Sequence, residues 1–128
     1  NLYRRLSGLR RESELEALKI EVKDRFGPAG QEVENLFALM SLRILLKEMA
    51  IHRLDVGGDS ITLTFSQNAK IDPDYMVRMV HAKDREFRLI GEYKLQIRTG
   101  PVSLPADLPK IRKAIEELRR GSSGRAAA

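Results

Sequence analysis

Ile51-His52-Arg53-Leu54-Asp55-Val56-Gly57-Gly58-Asp59-Ser60-Ile61-Thr62-Leu63-Thr64-Phe65 is the stretch on which the fold turns. Leu54 and Val56 alternate with polar neighbours, and Ile61, Leu63 and Phe65 alternate with Thr62 and Thr64. Two such runs with period two, separated by Gly57-Gly58-Asp59, spell a β-hairpin. Just upstream the period is helical. From about Gln31 to Met49 a helix carries Val33, Leu36, Phe37, Leu39, Met40, Leu42, Ile44, Leu45, Leu46 and Met49. Apolar nearly all round in its middle, it needs cover on most sides and is expected at the centre of the core.

Towards the N-terminus, Ser13 and Glu16 fit a capping box, and Leu15, Leu18, Val22 and Phe26 form one apolar stripe. Gly27 supplies the stop and Pro28 forbids continuation. Leu2, Tyr3, Leu6 and Leu9 also run at helical spacing from the opening Asn1, as expected of a piece of a longer polypeptide or a processed chain.

Towards the C-terminus, Asp72-Pro73 opens a connecting helix with Tyr75, Met76, Met79 and Val80. A second hairpin follows: Phe87 and Leu89, a turn at Gly91-Glu92, then Tyr93, Leu95 and Ile97. Pro101, Pro105 and Pro109 punctuate a loop before a last helix with Ile111, Ile115 and Leu118. The expected fold is α+β: N-terminal helices packed with a small antiparallel sheet of two hairpins, a connecting helix and a C-terminal helix. Residues 1–120 read as one domain, and 121–128, rich in glycine, serine and alanine, as a flexible tail.

The 128 residues, 42% apolar, suffice for one compact core that hides roughly two thirds of the unfolded chain's surface. With no cysteine, disulfide scaffolds, zinc ribbons and cysteine nucleophiles are excluded. No apolar run nears the ~20 residues of a membrane span and no signal-peptide pattern opens the chain, so the expected compartment is the cytoplasm. Lys and Arg number 23 against 18 Asp and Glu, a net charge of +5. Acids and bases are interleaved, which fits a solvated surface of mixed sign; the excess also fits a nucleic-acid or acidic-protein partner. At 5% aromatic residues and no tryptophan, a base-stacking platform is poorly supplied.

Candidate chemistry is sparse. His52 and His81 have no metal-ligand spacing around them, and structural or surface roles suit both. Gly57-Gly58-Asp59 lacks the lysine and following helix of a phosphate loop. Glu116 and Glu117 are adjacent on a helix and diverge, and no serine sits in a nucleophile-elbow context. The chain is therefore expected to be non-catalytic, with no cofactor and no metal. Basic clusters at Arg4, Arg5, Arg10 and Arg11, and at Lys110, Arg112, Lys113, Arg119 and Arg120, could meet phosphates, but no recognition motif accompanies them.

The most informative surface lies opposite the first core stripe. At 100° per residue, Ala17, Ile20, Glu21 and Asp24 face away from Leu15, Leu18, Val22 and Phe26. An isoleucine flanked by two carboxylates is either a small interface patch or an ordinary solvent face. Both acids fall near the helix C-terminus, where the dipole disfavours negative charge by ~0.3–1 kcal/mol, and Lys23 and Arg25 are at hand to offset that.

Glu14-Leu15-Glu16, Glu21-Val22-Lys23-Asp24-Arg25-Phe26-Gly27-Pro28 and Gln31-Glu32-Val33-Glu34-Asn35-Leu36, with the opening Leu2-Tyr3-Arg4-Arg5-Leu6, resemble the C-terminal domain of bacterial transcription-repair coupling factor (Mfd). The likeness is specific mainly over residues 2–51 and continues in order and pattern towards residue 120. Gly30 stands where relatives often have a second proline, and Ala50 where a glycine commonly ends the helix. The resemblance implies a regulatory domain of an ATP-driven DNA translocase that acts on stalled RNA polymerase and recruits excision repair in the bacterial cytoplasm. In that family this domain docks on the UvrB-like module of the same polypeptide and masks the surface used by UvrA. Glu21 and Asp24 look like the family's acidic pair that faces arginines on that module, with Ile20 beside them. The expected fragment is a monomer that meets RNA polymerase and DNA only through the rest of the protein; the alternative is a basic accessory domain touching DNA beside the motor.

Overall fold

A computed structural model describes residues 2–66, Asp74 and residues 87–127, with side chains described as far as Arg119. The connecting helix expected from Asp72-Pro73, with Tyr75, Met76, Met79, Val80 and His81, lies outside the described residues apart from Asp74. The fold is α+β, as the change of period requires, with helices and a four-stranded antiparallel sheet. The chain divides into two compact units, residues 1–45 and 46–128.

The first unit holds α1 (Leu2–Ser7), α2 (Glu12–Phe26) and most of α3 (Gln31–Glu48). Its core gathers Leu6, Leu15, Leu18, Val22, Phe37, Met40 and Ile44, with Leu2, Leu9, Val33 and Leu36 partly buried against them. Helical spacing places these side chains on facing stripes, and the long α3 contributes most, as its composition demands. Inside this unit the buried Ser41 hydroxyl donates to Glu12 Oε1 at 2.8 Å. Lys19 Nζ sits 5.9 Å from the centroid of the Phe37 ring, near the outer reach of a cation–π contact.

Two expectations for α2 need correction. Its N-cap is Arg11 rather than Ser13. Arginine cannot accept a backbone N–H, but Glu14, at the third helical position, accepts the N–H groups of Arg10 and Arg11 at 3.1 and 3.0 Å. Half a capping box is enough to start the helix two residues early. Phe26 is the second correction: it is 79% exposed, not a core residue. The stripe outruns its cover, because the core cluster reaches along α2 only to Val22 and Phe26 lies four residues, about 6 Å, further on. The helix then stops as expected, at Gly27 with φ +80° and its N–H on Lys23 O at 2.8 Å.

At the other end of α3, Ala50 takes φ +57°, the left-handed region that favours glycine. Its N–H donates to Lys47 O at 3.1 Å and its carbonyl accepts Ser66 N–H at 2.8 Å, so one strained residue converts helix into strand. Ala50→Gly should therefore stabilise the protein. Relief of about 1–2 kcal/mol of strain, less about 0.5–1 kcal/mol for the freer unfolded chain, leaves a net gain of about 0.5–1 kcal/mol. A urea melt with a raised midpoint and unchanged slope is the expected result; a lowered midpoint would show that Ala50 is not strained in solution.

The second unit is built on β1 (Ile51–Val56), β2 (Ser60–Phe65), β3 (Phe87–Gly91) and β4 (Lys94–Arg98). Both expected hairpins form, and β2 pairs with β4 to join them in the order β1-β2-β4-β3. The second turn lies at Glu92-Tyr93, so Tyr93 belongs to the turn and not to the strand. A bulge between Leu89 and Gly91 absorbs the difference of register. In the first hairpin Gly57 N–H donates to Ser60 O at 2.8 Å, and Asp59 O accepts Thr99 and Gly100 N–H at 3.0 and 2.9 Å, tying that turn to the end of β4.

Alternation gives the sheet one apolar face, with Ile61, Leu63, Phe65, Phe87, Leu95 and Ile97 all buried. In α4 (Leu108–Ala127), Leu108, Ile111, Ile115 and Leu118 are buried at helical spacing. Asp107 precedes it as N-cap, its carbonyl accepting Ile111 N–H at 3.1 Å and its carboxylate accepting Ser103 N–H at 2.7 Å. Helical backbone extends to Ala127, over the stretch read from sequence as a tail.

Candidate functional site

The outward face of α2 is where sequence placed the candidate residues, and the structure keeps them on the surface. Ile20 is 62% exposed, an uncommon position for a β-branched apolar side chain on a helix that already buries Leu15, Leu18 and Val22. Asp24, one turn further on, is exposed, and no ion pair engages it among the described residues. Glu21 lies beside them, half-buried, in a different electrostatic state.

Arg5, on α1, grips Glu21 with both arms of its guanidinium: Nη1 meets Oε2, and Nη2 donates to Oε1 at 3.1 Å. The fork matches a carboxylate and fixes its plane as well as its charge. The hydrogen bond from Arg5 holds the Glu21 carboxyl below the ordinary glutamate value. Partial desolvation opposes this, and the charges of Arg5 and Arg25 reinforce it. Arg5 is correspondingly raised, first by the same hydrogen bond and then by the charge of Glu21. This answers the helix-dipole objection: the acid near the C-terminal end of α2 is neutralised from α1. Sequence reasoning missed Arg5, because a pair 16 residues apart has no periodic signature and emerges only once α1 folds against α2.

A titration follows from this pair. Glu21 should ionise below an ordinary glutamate, and Arg5→Ala should bring it back up, as read by carboxyl NMR. Because the folded value is depressed, the stabilisation is fully present above the ordinary glutamate value and is lost as pH falls through the folded one. A Glu21 titration unmoved by Arg5→Ala would show that the pair does not form in solution.

Other candidates disperse. His52 is exposed in β1, at the irregularity between Ile51 and Arg53. Glu116 accepts Arg112 Nη1 at 3.1 Å and Arg119 Nη2 at 2.8 Å, and Arg119 also reaches Glu48 at 3.4 Å. The C-terminal basic cluster is thus partly committed to its own helix. A shallow depression of about 380 Å³ lies against Pro109, Arg112, Lys113 and Glu116, and two of its charges, Arg112 and Glu116, already pair with each other. Among the described residues, no group of three His, Asp or Glu side chains could hold a metal ion, and no helix is long and apolar enough to cross a membrane.

The fold and this face define a small α+β domain whose distinguishing surface is a helix presenting an isoleucine and two carboxylates. Residues 1–76, more than half the chain, match the model of the TRCF domain, and the chain belongs to that family. It is 35% identical over 94 residues to the transcription-repair-coupling factor of Rickettsia bellii, covering 73% of this chain and 8% of that one. Similarity to the Haemophilus influenzae protein of the same name is 28% over 96 residues, or 75% of this chain and 8% of the relative. For the Escherichia coli protein it is 21% over 122 residues, or 95% and 11%. The chain thus spans about a tenth of the length of the curated relatives it matches. A crystal structure of a C-terminal domain of transcription-repair coupling factor shares the fold, with a TM-score of 0.70 at 15% identity over 95% of this chain and 79% of that one.

Proposed function

We propose that residues 1–120 act as a non-catalytic regulatory domain of a transcription-coupled DNA repair translocase in the bacterial cytoplasm. The domain docks on the UvrB-like module of the same polypeptide and masks the surface that UvrA binds. RNA polymerase is met by the rest of the protein, and the domain itself needs no cofactor. The observation that carries this reading is the exposed Ile20 beside Asp24, an apolar anchor next to a carboxylate with no ion pair among the described residues. Such a pairing suits a partner offering an arginine beside an apolar recess: the isoleucine supplies buried area and the carboxylate supplies direction.

The direct test is capture of this chain by the isolated UvrB-like module, with Ile20→Asp as the control that removes the anchor. Capture of the wild-type chain and its loss in Ile20→Asp is the expected result. Ile20 is exposed, so the variant should still fold. Failure of the wild-type chain to bind the module would sink the reading.

A further inference from the structure

We propose that the outer face of the four-stranded sheet is a second contact surface, one that holds the sugar–phosphate backbone of duplex nucleic acid. This surface uses none of the residues of the α2 face. Strand alternation turns Arg53 and Asp55 of β1, Ser60, Thr62 and Thr64 of β2, Lys94, Gln96 and Arg98 of β4, and Arg88 of β3 away from the buried side. The register lays them out in rows: Arg88, Gln96, Thr62 and Asp55 in one, Lys94, Thr64 and Arg53 in the next, Arg98 and Ser60 in a third. Four cations face one carboxylate on the strands, and they surround a middle of hydroxyl and amide groups.

The dimensions suit a duplex. Lys94 and Arg98 are four residues apart on one strand, or about 14 Å, and Arg88 and Arg53 are separated by three strand spacings and one row, about 16 Å. A cationic plate of that size can meet phosphates on both sides of a minor groove about 6 Å wide. Between the cations, Thr62, Thr64 and Gln96 supply neutral hydrogen bonds of the kind that phosphate oxygens accept.

The composition of the face selects this occupant over others. None of the nine outward positions is aromatic, so bases of a single strand have nothing to stack on. The one apolar side chain beside them is Ile90, 47% exposed at the bulge of the edge strand β3, whereas a protein partner needs a hydrophobic patch at the centre of its interface. Phosphate contact needs neither. The carboxylates present do not cancel the field. Asp55 is taken up by Arg53 Nε at 3.1 and 3.0 Å, and Asp59 lies 3.9 Å from Arg98, both as surface pairs with the arginines 68% exposed. Such pairs are weak and can be shared with a phosphate. Arg88 and Lys94 have no ion pair among the described residues.

The test is fluorescence anisotropy of a labelled duplex of about 20 base pairs with the whole chain, from about 50 to 200 mM salt. Four phosphate contacts predict a log–log salt slope of about −3 to −4. Arg88→Glu with Lys94→Glu should weaken binding at least about tenfold at the low salt and reduce the slope by about two. A matched double reversal elsewhere, Arg10→Glu with Lys113→Glu, should cost less than about threefold, because only the general field changes. All four residues are exposed, so both variants should fold, which circular dichroism melts check. Equal losses in the two variants would overturn the proposal, as would duplex binding that survives the sheet-face reversal. No duplex binding at low salt overturns it too, including the case where an acidic polypeptide such as polyglutamate binds the face instead.

Discussion

Reversing both carboxylates of the α2 face, Glu21→Lys with Asp24→Lys, is expected to abolish docking on the UvrB-like module. Each acid that opposes an arginine there becomes a like charge. Where the pairs are desolvated, the loss is about 2–5 kcal/mol, a drop in affinity of about thirtyfold or more. At a solvated rim it would be nearer ~0–1 kcal/mol. Full-length protein with the same changes should gain UvrA binding if the proposed docking masks that surface. The structure adds a cost: the reversal at position 21 sets a cation against Arg5, so the melting temperature should fall slightly. Asp24→Lys alone avoids that cost and is the cleaner variant. Intact docking by a folded double variant would place the clamp elsewhere.

A still larger effect on stability is expected from Leu15→Ala. Leu15 is fully buried in the core of the first unit, and the substitution removes about three carbons from a closed site. Such truncations cost about 2–5 kcal/mol, a large part of the roughly 5–15 kcal/mol that holds a domain folded. Phe26→Ala is the informative comparison. By helical spacing alone Phe26 continues the stripe of Leu15, Leu18 and Val22, and its loss should cost about 3–5 kcal/mol. With 79% of its surface in water, the expected loss is below about 1 kcal/mol. Denaturant melts of the two variants separate these readings, and a costly Phe26→Ala would show that the side chain is covered in solution.

These comparisons mark how far the sequence could be read. The hairpins were legible because alternation is strict: Ile61, Leu63 and Phe65 are all buried, and the threonines between them are not. The burial of Ile111, Ile115 and Leu118 on α4 followed from spacing in the same way. Phe26 was illegible because periodicity gives direction and not the extent of the covering elements. The N-cap at Arg11 was hidden because its hydrogen bonds come from Glu14, while the residue itself has no capping chemistry. Of the candidate site, exposure of Ile20 and Asp24 could be read from the helical wheel. The partner of Glu21 could not, since it depends on which side of α2 receives α1. The polar face of the sheet was present in the alternation, but its rows exist only once β2 lies beside β4.

The bidentate grip of Arg5 on Glu21 changes the arithmetic of any encounter at this face. A partner's arginine does not arrive at a bare anion; it arrives at one already neutralised and oriented. Whatever Glu21 gains from a newcomer is set against what it surrenders, and the released guanidinium must find water or another acceptor. The net electrostatic driving force is a difference between two similar quantities, so contact through Glu21 should be nearly isoenergetic and insensitive to ionic strength. Attraction that responds to salt then falls to Asp24, and the two acids, so alike in sequence, become a gauge of exchange and a gauge of capture.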